Sequence, residues 1–229
     1  VNNCGAVYIF RKNSSGNWEQ KIKVSPSKRY NNGKFGYSID FYGDKLIVGS
    51  PYAFAYDEGL AYIFDLDSNS FFNERKLEAI DRYSDDRFGT SVAITNGYAI
   101  VGAPHWDKGS LNNVGAVYVY KESTNYSHSQ RLDGDFNYAS VFFGHSMDVE
   151  SGRLIVGAYG DSRNPYQRPS LANEGSIFVY QLEGSTWGNP IKVTPDEEAP
   201  GAHQGRAFSL HKGTITSGAL YKDSISGFI

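Results

Sequence analysis

Three segments of the sequence set aromatic side chains beside charges, the mixture that protein and sugar contacts favour. They are Tyr52-Ala53-Phe54-Ala55-Tyr56-Asp57, His105-Trp106-Asp107-Lys108 and the longer run from Tyr159 to Arg168. Tyr52, Tyr56, Trp106, Asp107, Tyr159 and Arg163 are accordingly the candidate binding residues. The same aromatics would also serve to cover sheet edges, and the sequence supports both uses. Covalent chemistry is harder to assemble. The five histidines, His105, His128, His145, His203 and His211, have no metal-ligand spacing. No Gly-x-Ser-x-Gly elbow occurs, and Cys4 is the one thiol, so no internal disulfide forms. Asp85-Asp86 and Glu197-Glu198 read as solvated loop charge. A glycosidase pair needs two carboxylates held about 5–10 Å apart by the fold, and nothing in the spacing points to one. No catalytic residue, metal ligand or cofactor is assigned.

The bulk properties narrow the partners. A net charge of −3 and a pI near 6.0 supply no basic field for nucleic acid or anionic lipid. No apolar run approaches the roughly 20 residues that cross a bilayer. The opening Val1-Asn2-Asn3-Cys4 lacks the basic start and apolar stretch of a signal peptide, although a precursor could have lost one. Among 229 residues there are 25 Gly, 17 Tyr and 14 Phe against one Met and one Cys. Aromatics suit a pleated, half-buried surface and Gly punctuates its turns, so the chain reads as β.

What positions the candidate residues is a repeat. Gly5-Ala6-Val7-Tyr8-Ile9-Phe10 returns as Gly59-Leu60-Ala61-Tyr62-Ile63-Phe64, Gly115-Ala116-Val117-Tyr118-Val119-Tyr120 and Gly175-Ser176-Ile177-Phe178-Val179-Tyr180. Phe35-Gly36, Phe88-Gly89 and Phe143-Gly144 keep step with it, with Gln204-Gly205 in the fourth slot. Leu46-Ile47-Val48-Gly49-Ser50-Pro51 recurs at Ala99 to Pro104 and at Leu154 to Tyr159, and more weakly at Thr214 to Ala219. From the Gly after Phe to the later Gly the step is 13 residues in every copy (36 to 49, 89 to 102, 144 to 157, 205 to 218). Three phrases in register through four copies define a real repeat of about 55 residues. Each copy predicts four strands. Two-residue turns at Gly43-Asp44, Asn96-Gly97, Ser151-Gly152 and Lys212-Gly213 suit tight hairpins. Four strands per unit predict an all-β propeller of antiparallel blades. Tyr30, Tyr83 and Tyr138 each stand five residues before the Phe of Phe-Gly, a regularity that predicts packing between blades.

Phe-Gly, Val-Gly-Ala-Pro and Gly-Ala-Val-Tyr together resemble the FG-GAP repeats of integrin α-subunits and their relatives, over nearly the whole chain from Gly5 to Ala219. The resemblance places repeats at about 5–51, 59–104, 115–159 and 175–220, with the start of another at 226–229. It implies two outer strands, three whole blades, then two inner strands, and either a segment of a seven-bladed ring or a small ring of four blades. The interrupted last phrase favours the segment. Many family members carry a calcium loop between the Phe-Gly strand and the next. Here that connection is two residues long, too short for six to eight oxygen ligands. Asp65-Leu66-Asp67-Ser68-Asn69 lies instead in the outer hairpin, without a mid-loop Gly or a distal Glu.

Two sequons, Asn13-Ser14-Ser15 and Asn125-Tyr126-Ser127, fall in the same outer hairpin of their repeats, the exposed rim where a glycan fits. The expectation is a secreted or cell-surface, non-enzymatic interaction module that offers its loop face to protein or glycan partners, or to neighbouring copies in a surface or fibre assembly. A carbohydrate-binding lectin is one alternative. An accessory domain of a secreted hydrolase is another.

Overall fold

A computed structural model describes residues 2–67, 71–162, 173–196 and 200–220. Strands dominate. A hairpin of β1 (Val7–Lys12) and β2 (Trp18–Val24) opens the chain. A four-stranded sheet follows in the order β3 (Ile39–Tyr42), β4 (Lys45–Ser50), β5 (Leu60–Leu66), β6 (Phe71–Leu77). The next runs β7 (Ser91–Thr95), β8 (Tyr98–Ala103), β9 (Ala116–Lys121), β10 (Ser127–Leu132). In the third, β11 (Phe143–Glu150), β12 (Arg153–Ala158) and β13 (Ser176–Glu183) are joined by two short strands, β14 (Thr186–Trp187) and β15 (Ile191–Val193), that both pair with β13. A hairpin of β16 (Phe208–His211) and β17 (Thr214–Ser217) closes the described chain. These are antiparallel sheets of the form that the repeat predicts. The two-residue turns are as expected: Tyr42 pairs with Lys45, Glu150 with Arg153 and His211 with Thr214. Residues 226–229, assigned to a further repeat, lie outside the described residues.

The chain forms two compact units, Val1–Val101 with Tyr118–Ser129, and Gly102–Val117 with Gln130–Ile229. In the first, the β1–β2 hairpin covers the flank of the sheet that follows it. Val7 and Val24 are buried with Phe35, Leu46, Val48, Leu60, Tyr62 and Phe64. In the second, Ile155 and Ile177 are buried with Leu210, and Phe208 and Ile215 pack beside them. Apolar area removed from water is what holds such faces together, at about 25 cal/mol per Å². The Phe of Phe-Gly is the repeated core piece. Phe35 meets Tyr62 edge-on at 5.3 Å, Phe88 meets Tyr118 at 5.5 Å and Phe143 meets Phe178 at 5.5 Å.

A main-chain ladder sets each copy. The Phe35 N–H donates to the Cys4 carbonyl (2.8 Å), Phe88 to Glu58 (3.0 Å), Phe143 to Val114 (3.0 Å) and Gln204 to Glu174 (2.8 Å). The residue after each acceptor is the Gly of Gly-Ala-Val-Tyr, and no side chain fits there. At Gly59, φ is +87°, and a Cβ would overlap the Phe88 carbonyl; Gly5, Gly115 and Gly175 stand in the same way to Phe35, Phe143 and Gln204. Adjacent sheets meet through glycine as well. A Cβ on Gly49 would strike the Gly89 carbonyl, and one on Gly157 the Gly205 carbonyl. Those carbonyls accept from Ser38 Oγ (2.9 Å) and Ser146 Oγ (2.6 Å).

These contacts predict a graded glycine series. Gly59→Ala places a Cβ into fixed backbone and loses about 3 kcal/mol or more of unfolding free energy, since both sterics and φ oppose it. Gly97→Ala, at φ +81° in an open turn, loses about 1 kcal/mol. Urea denaturation of the two variants measures the difference; equal losses would refute the ladder as the constraint.

Candidate functional site

The ladder leaves a second mark that composition hides. Before each Phe-Gly the backbone alternates into the left-handed region: Asn32, Lys34 and Gly36; Asp85, Arg87 and Gly89; Ser140, Phe142 and Gly144; Gly201, His203 and Gly205. L residues adopt this conformation at a cost of about 1–2 kcal/mol, and Gly or Asn is the usual occupant. The slot directly before Phe (or Gln204) instead holds Lys34, Arg87, Phe142 and His203, at φ 52°, 53°, 56° and 53°. Their N–H groups show what holds the strain. Arg87 donates to Asp57 (3.1 Å), Phe142 to Asn113 (3.0 Å) and His203 to Asn173 (3.0 Å).

In the first unit this slot meets the loop after Val-Gly-Ser-Pro. Lys34 Nζ lies 4.0 Å from the Tyr52 ring centroid and the Arg87 guanidinium 5.4 Å, while Tyr37 touches the ring edge-on at 6.1 Å. Tyr52 is thus a half-buried ring flanked by two cations, a cation–π arrangement worth about 0.5–1 kcal/mol per pair where water reaches it. Arg87 is also tied to Asp85 at 2.9 Å. Tyr56 stands apart, 70% exposed, its backbone N–H bonded to Glu58 at 3.0 Å.

The second unit builds a denser cluster. Tyr159 stacks on Phe142 (4.8 Å, 4°), meets His145 edge-on (4.7 Å) and contacts His203 (5.6 Å). The Arg206 guanidinium lies 5.4 Å from the same ring, and His105 reaches Phe142 at 5.4 Å. His203 Nδ1 sits 3.2 Å from the Tyr159 carbonyl, which only accepts, so that nitrogen carries the proton. Burial first, then the charges of Arg206 and His105, pull the His145 imidazole down to about 4, so it is neutral at physiological pH. Sequence reasoning named Tyr159 and missed these partners. Their signal was the pair of slots flanking Phe-Gly, where side chains vary while their neighbours repeat.

Two other candidates belong to the scaffold. Trp106 is buried, at 9% exposure, with the Arg131 guanidinium 4.5 Å from its ring, so it is not an outward anchor. Asp107 is exposed, but its carboxylate accepts the Asn113 N–H at 2.8 Å and ties down its own loop. Arg163 lies outside the described residues. Asp161, passed over in sequence, has a fully buried carboxylate that takes the Tyr138 phenol, the Ser162 N–H (2.8 Å) and Lys192 Nζ (2.6 Å). Beside it opens a groove of about 590 Å³ lined by Asp133, Asp135, Asn137, Asn189 and Lys192. The tyrosines expected between blades diverge. Tyr30 packs on Phe54 at 5.0 Å and Tyr138 anchors Asp161, whereas Tyr83 is 72% exposed.

At the outer hairpins, Asp65 is held by Lys45 (3.1 Å), Arg75 (3.0 Å) and Asn73 (3.1 Å), and Lys45 also reaches Glu122 (3.3 Å). Burial raises the Asp65 carboxyl, but the bonds to Asn73, Lys45 and Arg75 outweigh it and hold it below the usual carboxylate range. Asn13 is half-buried, and its Oδ1 accepts the Ser15 and Asn17 N–H groups, both at 3.0 Å. Asn125 is exposed in the left-handed region, at the end of a short 3₁₀ turn (Glu122–Thr124), with its Oδ1 held by Arg75 at 3.1 Å. Among the described residues no three His, Cys, Asp or Glu side chains gather to hold a metal ion, and no helix is long and apolar enough to cross a membrane.

Repeated four-stranded antiparallel sheets, each set by a Gly-to-Phe-Gly ladder, define a β-propeller-type repeat protein. The family model described as FG-GAP repeat matches residues 18–64 and 71–120. Over 180 residues, 68% of this chain, the sequence is 28% identical to integrin alpha-11 of Homo sapiens. That match spans 14% of integrin alpha-11. In these matches the chain is similar to FG-GAP repeat proteins of the integrin type.

The Asp65 network has a pH signature. A carboxylate whose folded pKa is depressed stabilises the fold above its unfolded pKa, near 3.9, and loses that contribution as pH falls through the folded value. Asp65→Asn is therefore expected to destabilise the protein at pH 7. The gap to wild type narrows as pH drops below about 4, read from denaturation midpoints at each pH. A gap independent of pH would refute the ion-paired carboxylate.

Proposed function

We propose that this chain is part of an extracellular, non-enzymatic interaction module, in which loops flanking the Phe-Gly phrases bind protein or glycan partners in adhesion or surface assembly. The observation that carries the reading is the occupancy of the strained slot. Four copies place Lys34, Arg87, Phe142 and His203 where Gly would cost nothing, and the loop aromatics Tyr52 and Tyr159 each close on two of them. Strain kept at a variable position that is exposed at Lys34 and half-buried at Arg87, Phe142 and His203 is a mark of function rather than of folding. The likeness to integrin alpha-11 adds to this, as a protein of the same repeat. The seven-bladed ring rests on family likeness alone. A lectin is the second reading, favoured by the groove of carboxylates and amides around Asp133, Asp135, Asn137 and Asn189, groups suited to sugar hydroxyls.

The test uses the protein coated on a surface for cell attachment and spotted against a glycan array in the presence of chelator. Tyr159→Ala with Arg206→Ala, or Tyr52→Ala with Arg87→Ala, is expected to cut attachment at least about tenfold with unchanged β-sheet circular dichroism. Trp106→Ala should instead lower stability by about 3 kcal/mol, as a buried indole. Attachment indifferent to both double variants would refute the loop reading, and glycan binding lost in Asp133→Ala with Asn137→Ala would favour the lectin. The extracellular setting has its own check. Secreted from eukaryotic cells, the protein should lose two increments of mass on N-glycosidase treatment, one absent in Asn13→Gln and one in Asn125→Gln. An unchanged mass would count against it.

A further inference from the structure

We propose that Asn96-Gly97, the two-residue turn between β7 and β8, is a site of spontaneous covalent modification, at which the asparagine converts to aspartate and isoaspartate in the folded protein. The sequence contains two Asn-Gly pairs, Asn32-Gly33 and Asn96-Gly97. A glycine after asparagine leaves the following backbone nitrogen unshielded by any Cβ, which permits ring closure onto the asparagine side chain. At the turn, the Gly97 nitrogen attacks Asn96 Cγ, the Cγ–Nδ2 bond breaks, and ammonia leaves with the amide proton. Water then opens the five-membered imide at one of its two carbonyls and restores the N–H. One opening gives aspartate. The other gives isoaspartate, whose main chain runs through Cγ and is one carbon longer. Water is the only co-reactant.

Both asparagines are exposed, so access to solvent does not separate them. Hydrogen bonds do. The Gly33 N–H donates to the Tyr30 carbonyl (3.2 Å) and Asn32 Oδ1 accepts from Asn3 Nδ2 (3.1 Å). The Asn32 N–H donates to the Asn2 carbonyl (2.9 Å), and the Gly33 carbonyl takes the Ser50 hydroxyl (2.6 Å). Ring closure at Asn32 must first break the bonds on the attacking nitrogen and on the side chain. Among the described residues, the Gly97 N–H and the Asn96 side chain make no hydrogen bond. A Cβ on Gly97 would meet nothing within 4 Å. Nucleophile and target are both unrestrained.

Conversion would disturb a repeated contact. The carbonyl of the second turn residue accepts an N–H from the end of the third strand or just past it: Asp44 from Leu66 (2.7 Å), Gly97 from Glu122 (2.9 Å) and Gly152 from Leu182 (2.8 Å). The turns Gly43-Asp44, Ser151-Gly152 and Lys212-Gly213 carry no side-chain amide, so only the second copy can convert here. A longer main chain at position 96 draws the Gly97 carbonyl away from Glu122. The new carboxylate also enters a small cavity of about 210 Å³ that Asn96 lines with Asp44, Lys45, Thr95 and Glu122. Three acids, Asp44 (3.5 Å), Asp65 (3.1 Å) and Glu122 (3.3 Å), already share the Lys45 ammonium there.

The test incubates the whole chain in neutral buffer, digests it and follows the peptides of Asn32 and Asn96 by mass, with enzymatic methylation to mark isoaspartate. In the folded protein the Asn96 peptide is expected to convert at least about tenfold faster than the Asn32 peptide, because two hydrogen bonds stand in the way at Asn32. In urea, where those bonds are gone, the two rates should agree within about twofold. As isoaspartate accumulates, the Glu122 amide should lose its hydrogen-exchange protection, and Asn96→Gln, incubated alongside, should keep it. Equal rates in the folded protein overturn the proposal, as does a rate ratio unchanged by urea. Conversion that leaves Glu122 protected would refute the link from the turn to the sheet.

Discussion

One backbone contact governs the rest of this molecule: the glycine that opens each Gly-Ala-Val-Tyr strand lies directly against the carbonyl of the residue in the Phe slot that follows it. Because the contact is made of main-chain atoms, it fixes the spacing of two segments about 30 residues apart whatever their side chains are. The Phe that it delivers goes edge-on into the aromatic ring of the third strand, so the hydrogen-bond ladder and the apolar core are set by the same step. The Gly49 and Gly157 contacts extend the logic to neighbouring sheets, where a side chain on either glycine would separate the layers.

The strained slots follow from that constraint. A non-glycine residue held at positive φ needs surroundings that leave it no alternative. The N–H groups of Arg87, Phe142 and His203 each have a carbonyl waiting in the parallel segment. The ladder can thus carry a lysine, an arginine, a phenylalanine and a histidine in the same unfavourable conformation and turn all four to variable loops. Repeated scaffold and variable surface are adjacent residues here, divided by a single peptide bond.

Much of the scaffold could be read from sequence because its phrases are dictated by sterics that few residues satisfy. The repeat, the two-residue hairpins and the all-β class all follow from Gly, Phe and β-branched residues at fixed offsets. The site was less legible for the opposite reason. Trp106 and Tyr159 look alike as loop aromatics after equivalent glycines, yet Trp106 is sealed under Arg131 while Tyr159 gathers His145, His203 and Arg206 from segments some 14 to 47 residues away. Nothing local separates these outcomes. Asp161 was invisible because a loop carboxylate is ordinarily solvated, and its burial depends on Tyr138 and Lys192 arriving from either side. The alternation of positive φ was hidden because only one residue in three of each run is regularly a glycine.

The arrangement of Asn125 carries a consequence for whatever is attached there. Its amide oxygen is clasped by Arg75, which is itself braced on Asp65, and Asp65 is braced in turn on Lys45. A chain of sugars joined to the amide nitrogen would leave the surface from a rigid stem rather than a swinging one. It would shade a constant patch of the rim, and that patch would lie where Lys45 and Glu122 bring two sheets together.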